Sequence, residues 1–413
     1  MKRRVVVTGI SAISPIGNDA KTMWSNAKKG VNGIDFIKGF DTTNLPVKIG
    51  GEVRGVNFTE ILDRKLVKRY DRFVQYGLVS TKEAVTDSGL NFETENTDRF
   101  GVYFGSGIGG LETIAAEEDK GQEKGFDRLS PFFIPGAIIN IAAGQIAIDH
   151  GITGIVTATV TACASATNSI GEAFRAIRDG YLDGAIAGGS EASLIPLGMG
   201  GFYVMQALNK SNDPNNASMP FDKDRSGFVM GEGSGTLVLE EYERAVARGA
   251  NIYAEIVGYG ATCDASHVTA PDPEGTGAKK CMEMAVSDAG LELTDVDYIN
   301  AHGTSTPMND KTETLAIKRA FGEHAYNLNV SSTKSMTGHL LGASGAVEAI
   351  FALMATKEDV IPPTINTKEL DELCDLNYTL GSSVKKEVKV AISNSLGFGG
   401  HNATIAFKKY RGE

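Results

Sequence analysis

Short apolar runs alternate with stretches of helical apolar spacing along most of this chain. Residues 5–10 (VVVTGI) form a β-branched run that ends in Thr-Gly, as expected of a buried strand that enters a turn. The run at 157–161 leads straight to Cys163, and Ala166, Ile170 and Phe174 then recur at helical spacing. Alternating strands and helices predict an α/β protein whose largely parallel sheets are covered on both faces.

The pattern occurs twice. AVTDSGL at 84–90 returns as AVSDAGL at 285–291, with five of seven positions identical, and similar strands, turns and helices follow each copy. The order βαβαβ, repeated, predicts two doubly wound halves related by a pseudo-twofold axis. We place the halves at 1–250 and 251–413, and the lack of a Gly/Ser-rich linker predicts one shared rigid core.

Three unusual loops follow predicted strands. They hold Cys163, His302 and the stretch from Lys334 to His339. Because open α/β sheets bind ligands beyond the carboxyl ends of their strands, these loops are the candidates for a functional site.

Composition excludes several classes of protein. Hydrophobic residues make up 42% and charged residues 22% of the 413 positions, which argues against wholesale disorder. The N-terminal MKRRVVVTGI is too short in apolar residues for a signal peptide, and no stretch reaches the length of a membrane span. The four cysteines form no C-x-x-C pair, so we expect neither a zinc site nor disulfides, and we place the protein in a reducing cytoplasm.

The charge distribution is uneven. A net charge of −11 argues against a general nucleic-acid binder. Residues 63–73 (DRKLVKRYDRF) run against this trend, with five basic residues and two acidic ones. Either this is a solvated helix face, or Lys65, Lys68 and Arg69 form a docking patch for an acidic partner.

The segment GSGIGG at 105–110 fits the G-x-G-x-x-G pattern of dinucleotide sites after a strand. Such a site also requires an acidic residue about 20 positions later, and Glu117, Glu118 and Asp119 come too early. A nicotinamide-dependent oxidoreductase is therefore a weak alternative, and a tight turn is the ordinary explanation.

Cys163 stands at the predicted start of a helix, where free N–H groups and the helix dipole favour a thiolate. Its small neighbours leave space around the sulfur, although a buried structural cysteine is the usual case. Two histidines could bind a metal, but their spacing suggests no third ligand, so we expect no metal. Lys334 between apolar elements would need a carboxylate, for which Glu348 and Asp310 are candidates, and it could simply neutralise one of them.

One cysteine and two histidines on converging loops suggest acyl chemistry. The cysteine would attack a thioester, backbone N–H groups would hold the oxyanion, and the histidines would stabilise an enolate by hydrogen bonds.

Five sequence blocks now identify a family. They are TACASATNSIG (161–171), PFDKDRSGFVMGEGSG (220–235), NAHGTSTPMND (300–310), SSTKSMTGHLLGASGAVEA (331–349) and SNSLGFGGHNA (393–403). In this order they resemble the motifs of the β-ketoacyl-[acyl carrier protein] synthases, and the set Cys163, His302 and His339 resembles the elongating branch. The resemblance implies a thiolase-like fold whose two pseudo-symmetric βαβαβ halves form a layered αβαβα core.

The resemblance also implies roles for the motif residues. Cys163 would take an acyl group from an acyl carrier protein, and His302 and His339 would stabilise the enolate formed when malonyl carrier protein loses carbon dioxide. Lys334 would tune His339, with Glu348 and Asp310 in support. The N–H groups of Cys163 and Phe398 would form the oxyanion hole, and Phe398 would act as a gate with room to swing between Gly397 and Gly399.

Further residues carry over as binding positions. The expected substrate contacts are Ile108, Phe202, Thr269, Thr304 and Thr306. The expected carrier-protein docking residues are Lys65, Lys68, Arg69 and Arg128. The family also implies a cytoplasmic homodimer in which Phe133 reaches the partner subunit, with no cofactor apart from a possible structural monovalent cation. A polyketide-type ketosynthase and a non-catalytic scaffold subunit remain as alternatives.

Overall fold

A computed structural model describes residues 2–412 of the chain. Its strands are β1 Val5–Ile13, β2 Asp35–Phe36, β3 Ile49–Gly50, β4 Phe100–Gly105, β5 Val156–Thr157, β6 Gly184–Glu191, β7 Gly233–Glu241, β8 Ala254–Cys263, β9 Tyr298–Asn300, β10 Asn329–Ser331, β11 Val360–Ile361, β12 Val384–Lys385, β13 Val390–Gly397 and β14 His401–Lys408. Its helices are α1 Ala20–Lys28, α2 Phe58–Ile61, α3 Arg64–Arg69, α4 Arg72–Ser88, α5 Leu111–Lys124, α6 Phe133–Ala137, α7 Ile141–His150, α8 Ser165–Arg178, α9 Pro196–Val204, α10 Tyr242–Ala247, α11 Thr276–Asp288, α12 Pro307–Phe321, α13 Lys334–Thr337 and α14 Ser344–Glu358.

The main sheet shows the predicted twofold plan. Its order is β10-β9-β13-β14-β8-β1-β7-β6-β4-β5. Read from its outer edge, the first half runs β5-β4-β6-β7-β1 and the second runs β10-β9-β13-β14-β8. Within each half, this is the third, second, fourth, fifth and first strand in chain order. The halves are therefore two copies of one topology, joined where β1 and β8 pair at Val5–Val7.

The prediction of largely parallel sheets is wrong for the centre of the molecule. Parallel pairing occurs only at the two ends, in β10-β9-β13 and in β6-β4-β5. The strands between them pair in antiparallel fashion. The physical reason is clearest in the second half, where β13 turns directly into β14 through a hairpin, a connection that only antiparallel strands can use.

Two helices form the middle layer of the fold. Helix α8 contacts β4 and β6 of the first half and β8 and β14 of the second, and it also packs against α14. In α14, Ser344 to Thr356 are all buried, which matches a helix that is covered on every side. The layers are those of the expected αβαβα core.

Local differences from the sequence prediction are small. The strand predicted at 157–161 covers only Val156–Thr157, and the residues from 158 to 161 have no regular structure. Among residues 2–412, no helix has the length and apolar character needed to cross a membrane.

Candidate active site

The three predicted catalytic side chains meet in one buried pocket. The Cys163 Sγ lies 3.2 Å from the His339 Nε2. The His302 and His339 rings are 5.2 Å apart between centroids and nearly perpendicular. Each side chain is at most 9% exposed. Cys163 and His339, far apart in the sequence, meet because they lie just before α8 and α14, two helices that pack against each other.

A strained turn places Cys163. Ala162 has a φ of 51° and opens a 3₁₀ turn that ends at Ala164, directly before α8. Ser165 secures this turn, because its hydroxyl donates to the Ala162 carbonyl and accepts from the Thr161 N–H. A Cβ on Gly397 would lie 2.7 Å from the Thr161 oxygen. Gly397 therefore allows the β13–β14 hairpin to pack against the backbone of Cys163.

Burial opposes the thiolate that the position of Cys163 at a helix start led us to expect. Burial raises the pKa of the Cys163 thiol to about 12, although the nearby Lys334 charge and the Phe398 N–H lower it. Complete burial outweighs the favourable position beside the helix N-terminus. Burial therefore favours the neutral form of the Cys163 thiol in this pocket.

Hydrogen bonds determine the tautomer of His339. Its Nδ1 accepts from the Leu341 N–H at 3.3 Å and lies 3.0 Å from the Ser344 hydroxyl. Because Nδ1 acts as an acceptor, the proton of the neutral ring is on Nε2, which faces Cys163. The backbone of His339 is held by Val229, whose carbonyl accepts its N–H at 2.7 Å.

The surroundings of His302 lead to the same tautomer. The Lys334 Nζ lies 3.3 Å from its Nδ1, and an ammonium can only donate, so Nε2 again carries the proton. Two backbone N–H groups, of His302 and Gly303, each donate to the buried Glu313 carboxylate at 2.8 Å. Both histidines thus present an N–H to the pocket. Burial, reinforced by Lys334, keeps the pKa of each imidazole well below its ordinary value.

Glu348 is the partner of Lys334, and Asp310 is not. The Lys334 ammonium donates to the Glu348 carboxylate, and both side chains are buried. Asp310 instead accepts from the Phe221 and Ser305 N–H groups and lies 3.6 Å from the Arg225 guanidinium. The expected link from Lys334 to His339 also needs correction, because the direct contact of Lys334 is with His302.

The ligand atoms of Cys163, His302 and His339 lie within 4.8 Å of one another, so spacing alone would accommodate a metal. The hydrogen bonding opposes one. A metal-bound histidine usually donates its second ring N–H to an acceptor, whereas the Nδ1 of His302 faces the Lys334 cation. The donor set therefore favours two N–H donors acting on a substrate oxygen.

The pocket has a volume of about 470 Å³. Its walls include the three predicted catalytic side chains, the predicted gate Phe398 and four of the five predicted substrate contacts: Phe202, Thr269, Thr304 and Thr306. The hydroxyls of Thr304 and Thr306 are 2.9 Å apart. Ile108 is not in the pocket wall; it belongs to the same hydrophobic cluster as Phe202 and Leu341, which are in that wall.

Phe398 lies half-buried in the hairpin between β13 and β14, and its ring is 6.4 Å from that of Phe202. Gly399 and Gly400 have φ values of 85° and 78°, which glycine adopts at no steric cost. The expectation that Gly397 gives Phe398 room is therefore incomplete, since Gly397 serves close packing and the next two glycines form the bend.

The dinucleotide interpretation of GSGIGG is wrong for a structural reason. The N–H groups of Gly107 and Ile108, which would hold a pyrophosphate, donate instead to the Glu191 carboxylate at 2.8 and 3.3 Å. Glu191 is fully buried at the end of β6. The anion at this turn is thus supplied by the protein itself.

Sequence reasoning missed the residues that hold the histidines. Glu313 anchors the His302 loop, and Val229 anchors the backbone of His339. The ring of Phe228 also contacts His339 edge-on at 5.1 Å. The signal was present, because Phe228 and Val229 belong to a conspicuous block for which no role was predicted.

The predicted docking residues are exposed. Lys65, Lys68 and Arg69 lie on α3, and their side chains form no ion pair among residues 2–412. The Arg69 guanidinium lies 4.4 Å from the centre of the Phe132 ring. Arg128 is exposed on a separate short turn, where its nearest opposite charge is Asp127 at 3.7 Å.

Comparison with known proteins agrees with this site. Residues 2–245 match the family model for the N-terminal domain of beta-ketoacyl synthases, and residues 253–368 match that for the C-terminal domain. A Synechocystis sp. protein named 3-oxoacyl-[acyl-carrier-protein] synthase 2 is 53% identical over 411 residues, which is 99% of each chain.

Solved structures are similar over the whole chain. The ishigamide ketosynthase/chain length factor superposes with a TM-score of 0.94 at 33% identity, covering 100% of both chains. A type II polyketide ketosynthase in complex with its acyl carrier protein gives 0.91 at 32% identity, again with 100% coverage of both. The fold and the Cys-His-His pocket define a thiolase-like enzyme. More narrowly, the chain belongs to the β-ketoacyl synthase family.

Proposed function

We propose that this chain is an elongating β-ketoacyl-[acyl carrier protein] synthase, which joins an acyl thioester to malonyl carrier protein and lengthens the acyl chain by two carbons. The observation that carries the proposal is the pocket in which one thiol faces two imidazole N–H groups. The near full-length similarity to a synthase 2 supports it.

In the first half-reaction, the Cys163 sulfur attacks the thioester carbonyl of the acyl carrier protein. The sulfur forms a bond to the acyl carbon, the bond to the carrier sulfur breaks, and the proton of the thiol passes to the departing carrier thiolate. The N–H groups of Cys163 and Phe398 hold the oxyanion, a role supported by the approach of the Phe398 N–H to the sulfur.

In the second half-reaction, malonyl carrier protein loses carbon dioxide, and the electron pair of the broken bond becomes an enolate. The Nε2–H groups of His302 and His339 donate to the enolate oxygen. The α-carbon then attacks the acyl carbonyl, the new carbon–carbon bond displaces the Cys163 sulfur, and the thiolate recovers a proton from water. Neutral imidazoles suit this role because their N–H groups are held in position before the negative charge of the enolate develops. Such fixed donors stabilise the charge most strongly.

A polyketide-type ketosynthase remains the second candidate, because the chemistry is the same and a polyketide ketosynthase shares the fold. Identity of 53% to a synthase 2, against 32% to that ketosynthase, favours the elongating synthase. We further propose that it works in the cytoplasm, where a reducing compartment would keep the nucleophile a free thiol.

A reconstituted assay tests the function. The enzyme is incubated with saturated acyl carrier protein and malonyl carrier protein, and the products are identified by mass. We expect one β-ketoacyl carrier protein, two carbons longer than the acyl donor, per round. Products extended several times without reduction would favour the polyketide alternative, and no extension would contradict both.

We propose that Lys65, Lys68, Arg69 and Arg128 dock the acidic carrier protein. Support comes from the exposed charges of α3 and from the similar ketosynthase solved with its carrier protein. Replacing Lys65 and Lys68 by Glu should weaken carrier-protein binding by about tenfold at low salt and less at high salt. Lys385→Glu, an exposed change on β12, is the control, and equal affinities would contradict the docking role.

We propose that the chain functions as a homodimer, with Phe133 reaching into the partner. Strand β5 lies at the edge of the main sheet, and apolar side chains of β5, of the loop after it and of α6 with the residue that follows are exposed. They are Ile134, Ile138, Val156 and Val160. Light scattering should give twice the chain mass of 43.7 kDa, Val156→Lys should lower it, and a monomeric wild-type protein would contradict the proposal.

We also propose a structural monovalent cation in the second half. Among the described residues of the second half, three buried side-chain oxygens lack a hydrogen-bond partner: Asn300 Oδ1, Glu348 Oε2 and Ser393 Oγ. Asn300 and Ser393 are register partners on β9 and β13, and unpaired oxygen atoms are the ligands that a hard cation prefers. Potassium should raise the melting temperature relative to tetramethylammonium, and Ser393→Ala should abolish the difference.

A further inference from the structure

Asn168 is a buried amide on α8 whose two hydrogen bonds lead to different halves of the molecule. Its Oδ1 accepts from the Thr161 hydroxyl at 2.6 Å, and its Nδ2 donates to the Tyr259 hydroxyl at 2.6 Å. Thr161 lies two residues before Cys163, whereas Tyr259 belongs to β8 of the second half. The side chain of Asn168 therefore joins the start of the Cys163 turn to the central sheet.

The Tyr259 ring is a firm anchor for this connection. A Cβ on Gly171 would lie 2.3 Å from the ring, so the ring packs directly on the backbone of α8. The Arg175 guanidinium also lies 4.4 Å from the ring centre, and Arg175 pairs with Glu172 at 3.3 Å. Tyr259 is only 1% exposed. Its hydroxyl therefore has little freedom to follow the amide of Asn168 if that amide moves.

The turn that Asn168 holds is strained. Ala162 has a φ of 51°, a conformation that persists in a residue other than glycine only where the surroundings enforce it. The Ala164 N–H donates to the Thr161 carbonyl at 3.0 Å, and Ser165 bonds to Thr161 and to Ala162. These bonds lie within the turn and its helix. The bond from Thr161 to Asn168 is the one that continues, through a second bond, to the other half of the molecule.

The second half contains the same turn without this connection. The turn Leu341–Ala343 precedes α14, and its central residue is Gly342 in the place of Cys163. At the positions of Thr161 and Asn168, two residues before and five after the central one, stand Leu340 and Val347. Both are buried in the main hydrophobic core, and neither side chain can form a hydrogen bond. The polar connection thus accompanies the turn that carries a thiol.

We propose that Asn168 is a positioning residue, which ties the Cys163 turn to Tyr259 and so keeps the Cys163 sulfur and N–H directed into the pocket. This inference rests on the proposed condensing function. Without the tie, the backbone around Ala162 can relax towards a negative φ, and this relaxation displaces the Cys163 N–H from the oxyanion that it would hold. Acyl transfer to the sulfur should therefore slow.

A matched pair of variants tests the tie. Thr161→Val keeps the shape of the side chain but removes the hydroxyl, whereas Thr161→Ser keeps the hydroxyl. Single-turnover mass measurements with acyl carrier protein give the rate constant for acylation of Cys163. We expect acylation of Thr161→Val to be about tenfold slower than that of wild type, and that of Thr161→Ser to be within about threefold. Thr314→Val is the control, because the Thr314 hydroxyl also lies 2.7 Å from a buried tyrosine hydroxyl, that of Tyr378.

Two further measurements separate positioning from a loss of stability. Asn168→Val copies the residue of the second turn, and combining it with Thr161→Val should slow acylation no more than either change alone, because both break the same bond. Decarboxylation of malonyl carrier protein is then measured in the Cys163→Ala protein, where only the histidines act. Adding Thr161→Val to that protein should change decarboxylation by less than about twofold.

The outcomes are distinct. Acylation of Thr161→Val at the wild-type rate, equal slowing in Thr161→Ser or Thr314→Val, additive effects in the double variant, or an equal fall in decarboxylation would each overturn the proposal. If Asn168→Val does not fold, the pair of variants at Thr161 decides. A wild-type enzyme that fails to condense would instead contradict the proposed function, so the two failures can be told apart.

Discussion

Two turns, one in each half of the molecule, have the same shape and different contents. The turn Ala162–Ala164 precedes α8, and the turn Leu341–Ala343 precedes α14. Their first residues have φ values of 51° and 50°, and each helix then begins at a serine. The central position is Cys163 in the first turn and Gly342 in the second.

What faces each turn explains the difference. Cys163 faces the end of β13, where Gly397 has no side chain. Gly342 faces the end of β6, where Glu191 fills the space with a carboxylate. A side chain at Gly342 would collide with the backbone of Gly107. The same turn can therefore carry a reactive side chain at its central position only where the strand end opposite it has no side chain to fill that space.

The largest expected effect is loss of the nucleophile. Cys163→Ala should form no acyl adduct and should lower elongation by at least about 10³-fold, since covalent transfer has no substitute here. Intact-protein mass after incubation with acyl carrier protein checks the adduct. Cys281→Ala, which removes another buried thiol, is the control. An adduct on the Cys163→Ala protein would show that a residue outside the turn Ala162–Ala164 accepts the acyl group.

Removing either histidine should affect the two half-reactions differently. His302→Ala and His339→Ala should still be acylated, but condensation should fall by about 10²- to 10³-fold, because each loses one N–H donor to the enolate. Mass spectrometry of the enzyme and of the product measures both steps. If both variants lost acylation, and condensation fell by no more than acylation did, the imidazoles would act only on the Cys163 thiol and not on the enolate.

The charge pair behind His302 should affect stability as well as rate. Lys334→Met leaves the Glu348 carboxylate buried without its partner, which should lower the free energy of unfolding by about 3–5 kcal/mol. Adding Glu348→Gln should recover most of that stability without restoring activity. Urea denaturation and elongation rates measure the two effects. An active double variant would show that the Lys334 charge is unnecessary for His302.

The smallest predicted effect is a dependence of stability on pH. Burial lowers the pKa of His302 and His339 well below the ordinary 6.5, so below pH 6.5 the unfolded chain binds protons that the folded chain excludes. Their contribution to stability is therefore complete above pH 6.5 and declines as the pH falls, by up to about 1.4 kcal/mol per unit for each ring.

Denaturation between pH 7.5 and 5.5 tests this dependence. The wild-type protein should lose more stability than a variant with both rings replaced by Asn. Equal losses would indicate that the pKa of each imidazole is the same in the folded and the unfolded chain.

The sequence was most informative where function depends on residue type. It singled out Cys163, His302 and His339, which the structure brings into one pocket, because polar side chains at strand ends stand out against apolar surroundings. It failed where long-range packing decides the outcome. The pKa of the Cys163 thiol depends on its burial in the folded protein. The partner of Lys334 depends on where α14 packs. The antiparallel centre of the sheet depends on strand direction, and local hydrophobic periodicity does not encode that direction.

Glu191 and Glu313 escaped for a related reason. Each looks like an ordinary charged residue in the sequence, and each acts through backbone N–H groups that carry no residue signature. A carboxylate among the small residues of GAIAGGSE was the only available hint.

The most direct test of the central claim is a single-turnover mass experiment on the wild-type enzyme. Acyl carrier protein is added first, and malonyl carrier protein labelled with carbon-13 follows. The account predicts that the acyl mass appears on the peptide containing Cys163, then leaves it as a labelled β-ketoacyl product. An acyl group on a different residue, or its release as free acid with no labelled product, would contradict the account.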